Sequence, residues 1–128
     1  MTELEERTMV ERAWDARDSA YCRKTKVGAA LITWDGHIYD GCNIEHDFCK
    51  SIHAEVCAIA QMVCAGQTQF EHILIVSDIP NFYPCGSCMD WIIQHGPKSK
   101  IACSCDKNEK LIWHNVRKLM PFYPYKEI

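Results

Sequence analysis

Residues 53–78 read HAEVCAIAQMVCAGQTQFEHILIVSD, and a change of pattern inside this stretch decides the fold. The first part, 53–66, suits a helix ending at Gly66 as its C′ residue. The last part, HILIVSD (72–78), is a nearly continuous apolar run, the mark of a central strand covered on both faces. Downstream, CGSCMDWIIQHG (85–96) predicts a second helix, with Pro84 just ahead and Gly96-Pro97 stopping it. KIACSC (100–105) predicts a further strand. In NVRKLMP (115–121), Asn115 is the expected N-cap of a short helix that Pro121 ends.

Upstream, VGAALITW (27–34), Asp35-Gly36 and HIYDGCN (37–43) predict a β-hairpin, with Asp-Gly supplying positive φ angles. Residues 3–20 carry Leu4, Met9, Val10, Ala13 and Trp14 at helical spacing, with acidic residues in the opening turns. After this helix and hairpin the order is helix, strand, helix, strand. Helices between strands imply a partly parallel sheet sandwiched by helices, hence an α/β chain on a mixed sheet. Pattern alone leaves the order of the later strands open.

The chain has 128 residues, 48% apolar and 24% charged, the size and composition of one globular domain spanning 1–128. No apolar run approaches the ~20 residues that span a bilayer. The acidic start MTELEERTMVERAW is unlike a signal peptide, so a cytoplasmic protein is expected. Nine cysteines, an odd number, then read as metal ligands, catalytic groups or small apolar residues rather than a disulfide framework. The formal charge is −3, and Arg23-Lys24-x-Lys26 is the one basic cluster, which reads as a solvated loop. That argues against a nucleic-acid partner and for a small substrate.

Pro84-Cys85-Gly86-Ser87-Cys88 places two cysteines three apart at a helix start, where both sulfurs can face one ion. The unsatisfied N–H groups and positive dipole end there favour thiolates. Catalytic zinc usually has three protein ligands, and His53 can supply the third. Glu55 lies two residues on, which in a regular helix is nearly the opposite side. It reaches the same site only if the helix begins at His53. The order H-x-E, strand, P-C-x-x-C matches the signature of zinc nucleobase deaminases. Cys57, four after His53, offers a competing reading in which Cys57, His53, Cys85 and Cys88 close a structural zinc site without catalysis. Cys64 fits a helix core, and Cys103 and Cys105 share a strand face.

On these segments the chain resembles the cytidine deaminase family over roughly residues 21–125. VGAAL (27–31), Gly41-Cys42-Asn43-Ile44-Glu45, SIHAE (51–55), PCGSC (84–88) and NVRKLMP (115–121) stand in family order. The resemblance implies a three-layer α/β/α fold with a central five-stranded mixed sheet. It implies zinc on His53, Cys85 and Cys88, and Glu55 as the proton shuttle. It also implies Asn43 and Glu45 on the ribose hydroxyls and the backbone at Ala54 and Cys85 orienting the base. The implied reaction is hydrolytic deamination of cytidine or deoxycytidine, as in pyrimidine salvage. The implied assembly is a homotetramer, with a dimer as the alternative, and Phe122, Tyr123 and Tyr125 near the tail suit either such an interface or a packed tail.

Three departures qualify the resemblance. This chain has His-Ala-Glu where family members of its length usually carry Cys-Ala-Glu. The stretch between Asn43 and His53 is about one residue shorter. Thr25 stands where the family has an aromatic residue. The last change admits a different cytosine-bearing nucleoside, such as blasticidin S, as an alternative substrate.

Overall fold

A computed structural model describes residues 1–126. Helix α1 (Glu3–Asp18) comes first, then strands β1 (Val27–Ile32) and β2 (Ile38–Cys42). Helix α2 (Ala54–Cys64), strand β3 (His72–Ser77), helix α3 (Gly86–His95) and strand β4 (Lys100–Ser104) alternate as expected. The described chain closes with β5 (His114–Asn115) and α4 (Val116–Leu119).

One five-stranded sheet has the order β2-β1-β3-β4-β5. β1 is antiparallel to both neighbours, β3 and β4 are parallel, and β5 is antiparallel to β4. The mixed five-stranded sheet is therefore the expected one, with β3 at its centre. Alternate residues of each strand face opposite layers. Ala29, Leu31, Ile73, Ile75 and Ile101 pack with Ala58, Ile59 and Met62 of α2 and Met89, Ile92 and Ile93 of α3. Ala30, Ile32, Leu74, Val76 and Ala102 pack on the other face against Met9 and Ala13 of α1. Three layers result.

Two glycines set how closely the layers approach. A Cβ at Gly28 would stand 2.0 Å from the Ala13 carbonyl oxygen of α1. One at Gly41 would stand 2.5 Å from the Ala58 nitrogen of α2. Ordinary side chains at either place would force a helix off the sheet.

Local chemistry explains the ends of the elements. Thr2 and Glu5 form a reciprocal capping box at the start of α1. At the end of α2 the N–H of Gln67 donates to the Met62 carbonyl and that of Gly66 to Val63. With Gly66 at φ +93, this is a Schellman motif, and Gly66 is the expected C′ residue.

Two local expectations are corrected. In the hairpin only Gly36 has positive φ (+90), and Asp35 does not. The Gly36 N–H donates to the Thr33 carbonyl and Thr33 N–H to that of His37, so the connection is a three-residue loop, not a two-residue turn. Cys64, at the last position of α2, is exposed rather than in the core.

The topology also fixes where the site lies. β2 and β3 each run antiparallel to β1, so they point the same way. The helices that follow them, α2 and α3, consequently begin at one end of the sheet. That end is the carboxyl end of β3 and β4, where ligands of open α/β sheets gather. Among the described residues no helix is long and apolar enough to cross a membrane.

Candidate active site

His53 is the N-cap of α2, with extended backbone (φ −85, ψ 162), and Cys85 is the N-cap of α3 (φ −70, ψ 169). Both helices thus open with a metal-capable side chain at the residue where the chain turns from extended to helical. Cys88 follows one turn into α3 and is buried, whereas His53 and Cys85 are exposed. His53 Nδ1 lies 3.1 Å from Cys88 Sγ and 3.5 Å from Cys85 Sγ. The three donor atoms lie within 4.8 Å of one another.

These separations and donor types fit zinc. Tetrahedral coordination at ordinary Zn–N and Zn–S lengths places neighbouring donors ~3.5–3.8 Å apart. Two thiolates and a neutral imidazole are one donor short of a closed structural set, which leaves a position for water. Cys57 is not part of the group: among the described residues the clustered metal-capable donors here are His53, Cys85 and Cys88. Cys57 instead packs where β2 meets α2, its Cβ 2.7 Å from where a Cβ on Gly41 would be. Cys57 stands outside the donor group, so the four-ligand structural reading is not favoured.

Glu55 occupies the second helical residue of α2, where the turn out of the extended N-cap brings it back toward the sulfurs. It is 5% exposed, so its carboxyl sits in the protein rather than in water. Burial raises its pKa above the ordinary carboxylate value, against smaller lowering contributions from the backbone, His53 and Cys88. Burial likewise pushes the Cys88 thiol far up, and the Glu55 carboxylate adds to the shift. Metal coordination is the natural relief of such a thiol, because the ion holds it as thiolate.

Cys103 of β4 is the neighbour that sequence reading missed. Burial raises its thiol to about 12, and the Glu55 charge adds to the shift. Cys103 and Cys105 also line one cavity of about 210 Å³ with Phe82, Tyr83 and His114. The segment from 80 to 83 that walls this cavity leads straight into Cys85. The alternation along β4 was the available signal, since Cys103 pairs with Ile75 and faces α2 and α3.

Asn43 and Glu45 lie in the chain leaving β2. Ile44 between them exchanges two hydrogen bonds of 2.9 Å with Ile52, so this chain runs beside the segment that delivers His53. Glu45 lines a hollow with Tyr21, Arg23, Lys26, His46 and Ser51. Arg23 pairs with Asp47 at 3.0 Å on the surface, as a solvated basic loop would. Ala54, the first residue of α2, is fully buried.

A three-layer α/β/α fold with a His/Cys/Cys donor set and a buried carboxyl beside it defines a zinc-dependent hydrolase of the deaminase kind. The family model for the cytidine and deoxycytidylate deaminase zinc-binding region matches residues 3–104, and the chain belongs to that family. It is 36% identical over 90 residues to a cytidine deaminase of Sporosarcina psychrophila, covering 67% of this chain and 66% of that one. It is 27% identical over 113 residues to a probable cytidine deaminase of Dictyostelium discoideum, covering 84% of this chain and 77% of that one. Among solved structures, a cytidine deaminase from Burkholderia pseudomallei superposes with a TM-score of 0.80 at 29% identity. That match covers 95% of this chain and 98% of the other.

Proposed function

We propose that this chain is a zinc-dependent aminohydrolase that converts cytidine or deoxycytidine, with water, to the uridine counterpart and ammonia. The observation that carries the reading is Glu55, a carboxyl buried beside the His53/Cys85/Cys88 donor set at the shared start of two helices. Family membership and the cytidine deaminases among its relatives support the substrate class.

His53, Cys85 and Cys88 would hold the zinc. When bound, zinc supplies a Lewis acid that makes water a competent nucleophile near neutral pH. Glu55 takes a proton from the attacking water and delivers it to N3 of the cytosine ring. It then carries the second water proton to the exocyclic amine, which leaves C4 as ammonia. A positioned acid–base group of this kind contributes ~10²–10⁴ in rate. Its burial keeps bulk water from competing for the proton. Ala54, at the first turn of α2, offers backbone groups to the edge of the base. Asn43 and Glu45 stand on the sugar side.

The same reading makes this a single-domain, cytoplasmic enzyme of pyrimidine salvage that acts on a small nucleoside, with no nucleic-acid or membrane partner. It also makes it a homo-oligomer, a tetramer in preference to a dimer. Support for assembly comes from the large apolar side chains left in water, among them Tyr21, Trp34, Phe48, Trp91 and Phe122.

The deciding experiment is ammonia release by the zinc-loaded protein, wild type beside Glu55→Ala. The panel holds cytidine, deoxycytidine, cytosine, CMP, adenosine, guanine and blasticidin S. The expected result is turnover of the cytosine nucleosides, lost in Glu55→Ala while zinc content is unchanged. No turnover of any compound by wild type with zinc bound would overturn the proposal.

A further inference from the structure

In a cytosine nucleoside the ring carbon that loses the amine lies across the ring from the nitrogen that carries the sugar. The fold sorts its hollows along the same line. Glu45, on the sugar side, lies in the chain leaving the edge strand β2. The His53/Cys85/Cys88 set stands where α2 and α3 begin. Beyond it, at the carboxyl end of β4, is the cavity of about 210 Å³. The strand order β2-β1-β3-β4-β5 thus leads from the sugar side, past the donor set, to this cavity. A base that has its sugar beside β2 and its C4 at the donors directs its exocyclic nitrogen toward β4.

The lining suits an uncharged apolar or aromatic group. Phe82 and Tyr83 come from the segment that runs into Cys85, Cys103 and Cys105 from the end of β4, and Ile112 and His114 from the chain around the start of β5. Tyr83 stands edge-on to His114 with ring centroids 6.2 Å apart, an arrangement that a further ring can join. An apolar cavity of ~150 Å³ already takes benzene, so the volume suffices for an aryl group. At the rim the formal charges of Glu109 and Lys110 cancel, which leaves no net attraction for an ion. The Glu55 charge is felt at the Cys103 thiol, so this lining is electrostatically linked to the acid–base group.

We infer that this cavity receives a substituent on the exocyclic nitrogen, so that the enzyme hydrolyses N4-alkyl and N4-arylmethyl cytosine nucleosides as well as unsubstituted ones. This rests on the cytosine-nucleoside reading proposed above. Water forms the new C4–O bond and the C4–N bond breaks. One water proton ends on N3 and the other on the departing nitrogen, which leaves as a primary amine in place of ammonia. Benzylamine and ammonia are bases of similar strength, so a benzyl group leaves the chemistry of departure nearly unchanged and tests the space around it.

The experiment compares cytidine with N4-benzylcytidine on the zinc-loaded protein, reading uridine and benzylamine by chromatography. Wild type is expected to hold kcat/KM on the benzyl compound within about a hundredfold of that on cytidine. Two substitutions narrow the cavity, Cys105→Phe at its wall and Ile112→Trp at an exposed position of its lining. Each is expected to lower the benzyl-to-cytidine ratio of kcat/KM at least about tenfold, and Ile112→Trp decides where Cys105→Phe does not fold. Turnover of cytidine with a deficit on the benzyl compound beyond about a hundredfold would overturn the inference. So would an unchanged ratio in the folded variants.

A second readout needs no turnover. In zinc-loaded Glu55→Ala, alkylation of Cys105 by iodoacetamide is followed by peptide mass spectrometry. N4-benzylcytidine is expected to slow it at least about threefold relative to the same concentration of cytidine. If wild type is inactive on both compounds, the proposed reaction fails and protection of Cys105 still decides what the cavity binds. Equal alkylation with the two compounds would refute the assignment.

Discussion

His53 Nδ1 and Cys88 Sγ lie 3.1 Å apart although 35 positions separate them in the chain. The contact joins the cap of α2 to the first turn of α3, and Cys85 completes the group from the other side. Replacing any one of the three is expected to abolish stoichiometric zinc, as measured by metal analysis after desalting. Cys57→Ser is expected to retain one zinc per chain. Loss of zinc in Cys57→Ser would restore the four-ligand site.

Zinc uptake is expected to release protons, and apparent affinity should rise with pH between about 6 and 8. In the metal-free chain, burial and the Glu55 carboxylate keep the Cys88 thiol protonated, so the ion must displace that proton. Calorimetry in buffers of different ionisation enthalpy reads the number released. A buffer-independent heat would contradict the expectation.

Gly41→Ala and Gly28→Ala should both destabilise, by about 1–3 kcal/mol or more, because each Cβ meets helix backbone rather than a movable side-chain end. Their effects on zinc should differ. Gly41 faces α2, which carries His53 and Glu55, so its variant should also weaken metal binding. Gly28 faces α1, which contributes nothing to the donor set. Denaturant melts and zinc titrations of the two proteins would separate stability from site geometry.

Asp35 offers a pH test remote from the site. The Thr33 hydroxyl, then His37 and Gln67, hold its carboxyl down to about 2. A carboxylate lowered in the folded state stabilises fully above its unfolded pKa near 3.8, and that contribution is lost as pH falls toward 2. Asp35→Asn should therefore show a shallower decline of melting temperature between pH 5 and 3 than wild type. The carboxylate is exposed, so the difference should be small.

Much of the fold was legible because period and length agreed. The continuous run at 72–77 could only be a buried strand, and Gly66 and Pro84 marked the neighbouring helix limits. Strand β5 was not legible: two residues carry no period, and only pairing of His114 and Asn115 with β4 creates it. Cys64 misled because apolar composition around it hid that its side of the last helical turn, shared with Gln61 and Val63, faces water.

The site was legible where motif spacing coincided with helix starts, at His53, Glu55, Cys85 and Cys88. It was illegible where a role depends on what a side chain already touches. Nothing in the letters 43–45 tells that the asparagine is bonded to Thr25 and Val27. The tail was equally ambiguous until packing sorted it. Tyr123 and Tyr125 lie against the core, Tyr125 donating to the Met120 carbonyl at 2.9 Å, while Phe122 is 97% exposed. Phe122→Asp is accordingly expected to lower the assembly state in sedimentation analysis without unfolding the chain.

His53 and Cys85 hold N-cap positions, and neither side chain caps its helix. A serine or aspartate there ordinarily adds ~1 kcal/mol. The chain therefore forgoes local helix stability at the two residues it needs as ligands. A stabilisation campaign guided by sequence propensity would favour Ser or Asp at both positions. It would yield a sturdier apoprotein with no active metal, so thermostability alone is a misleading score for improving this protein.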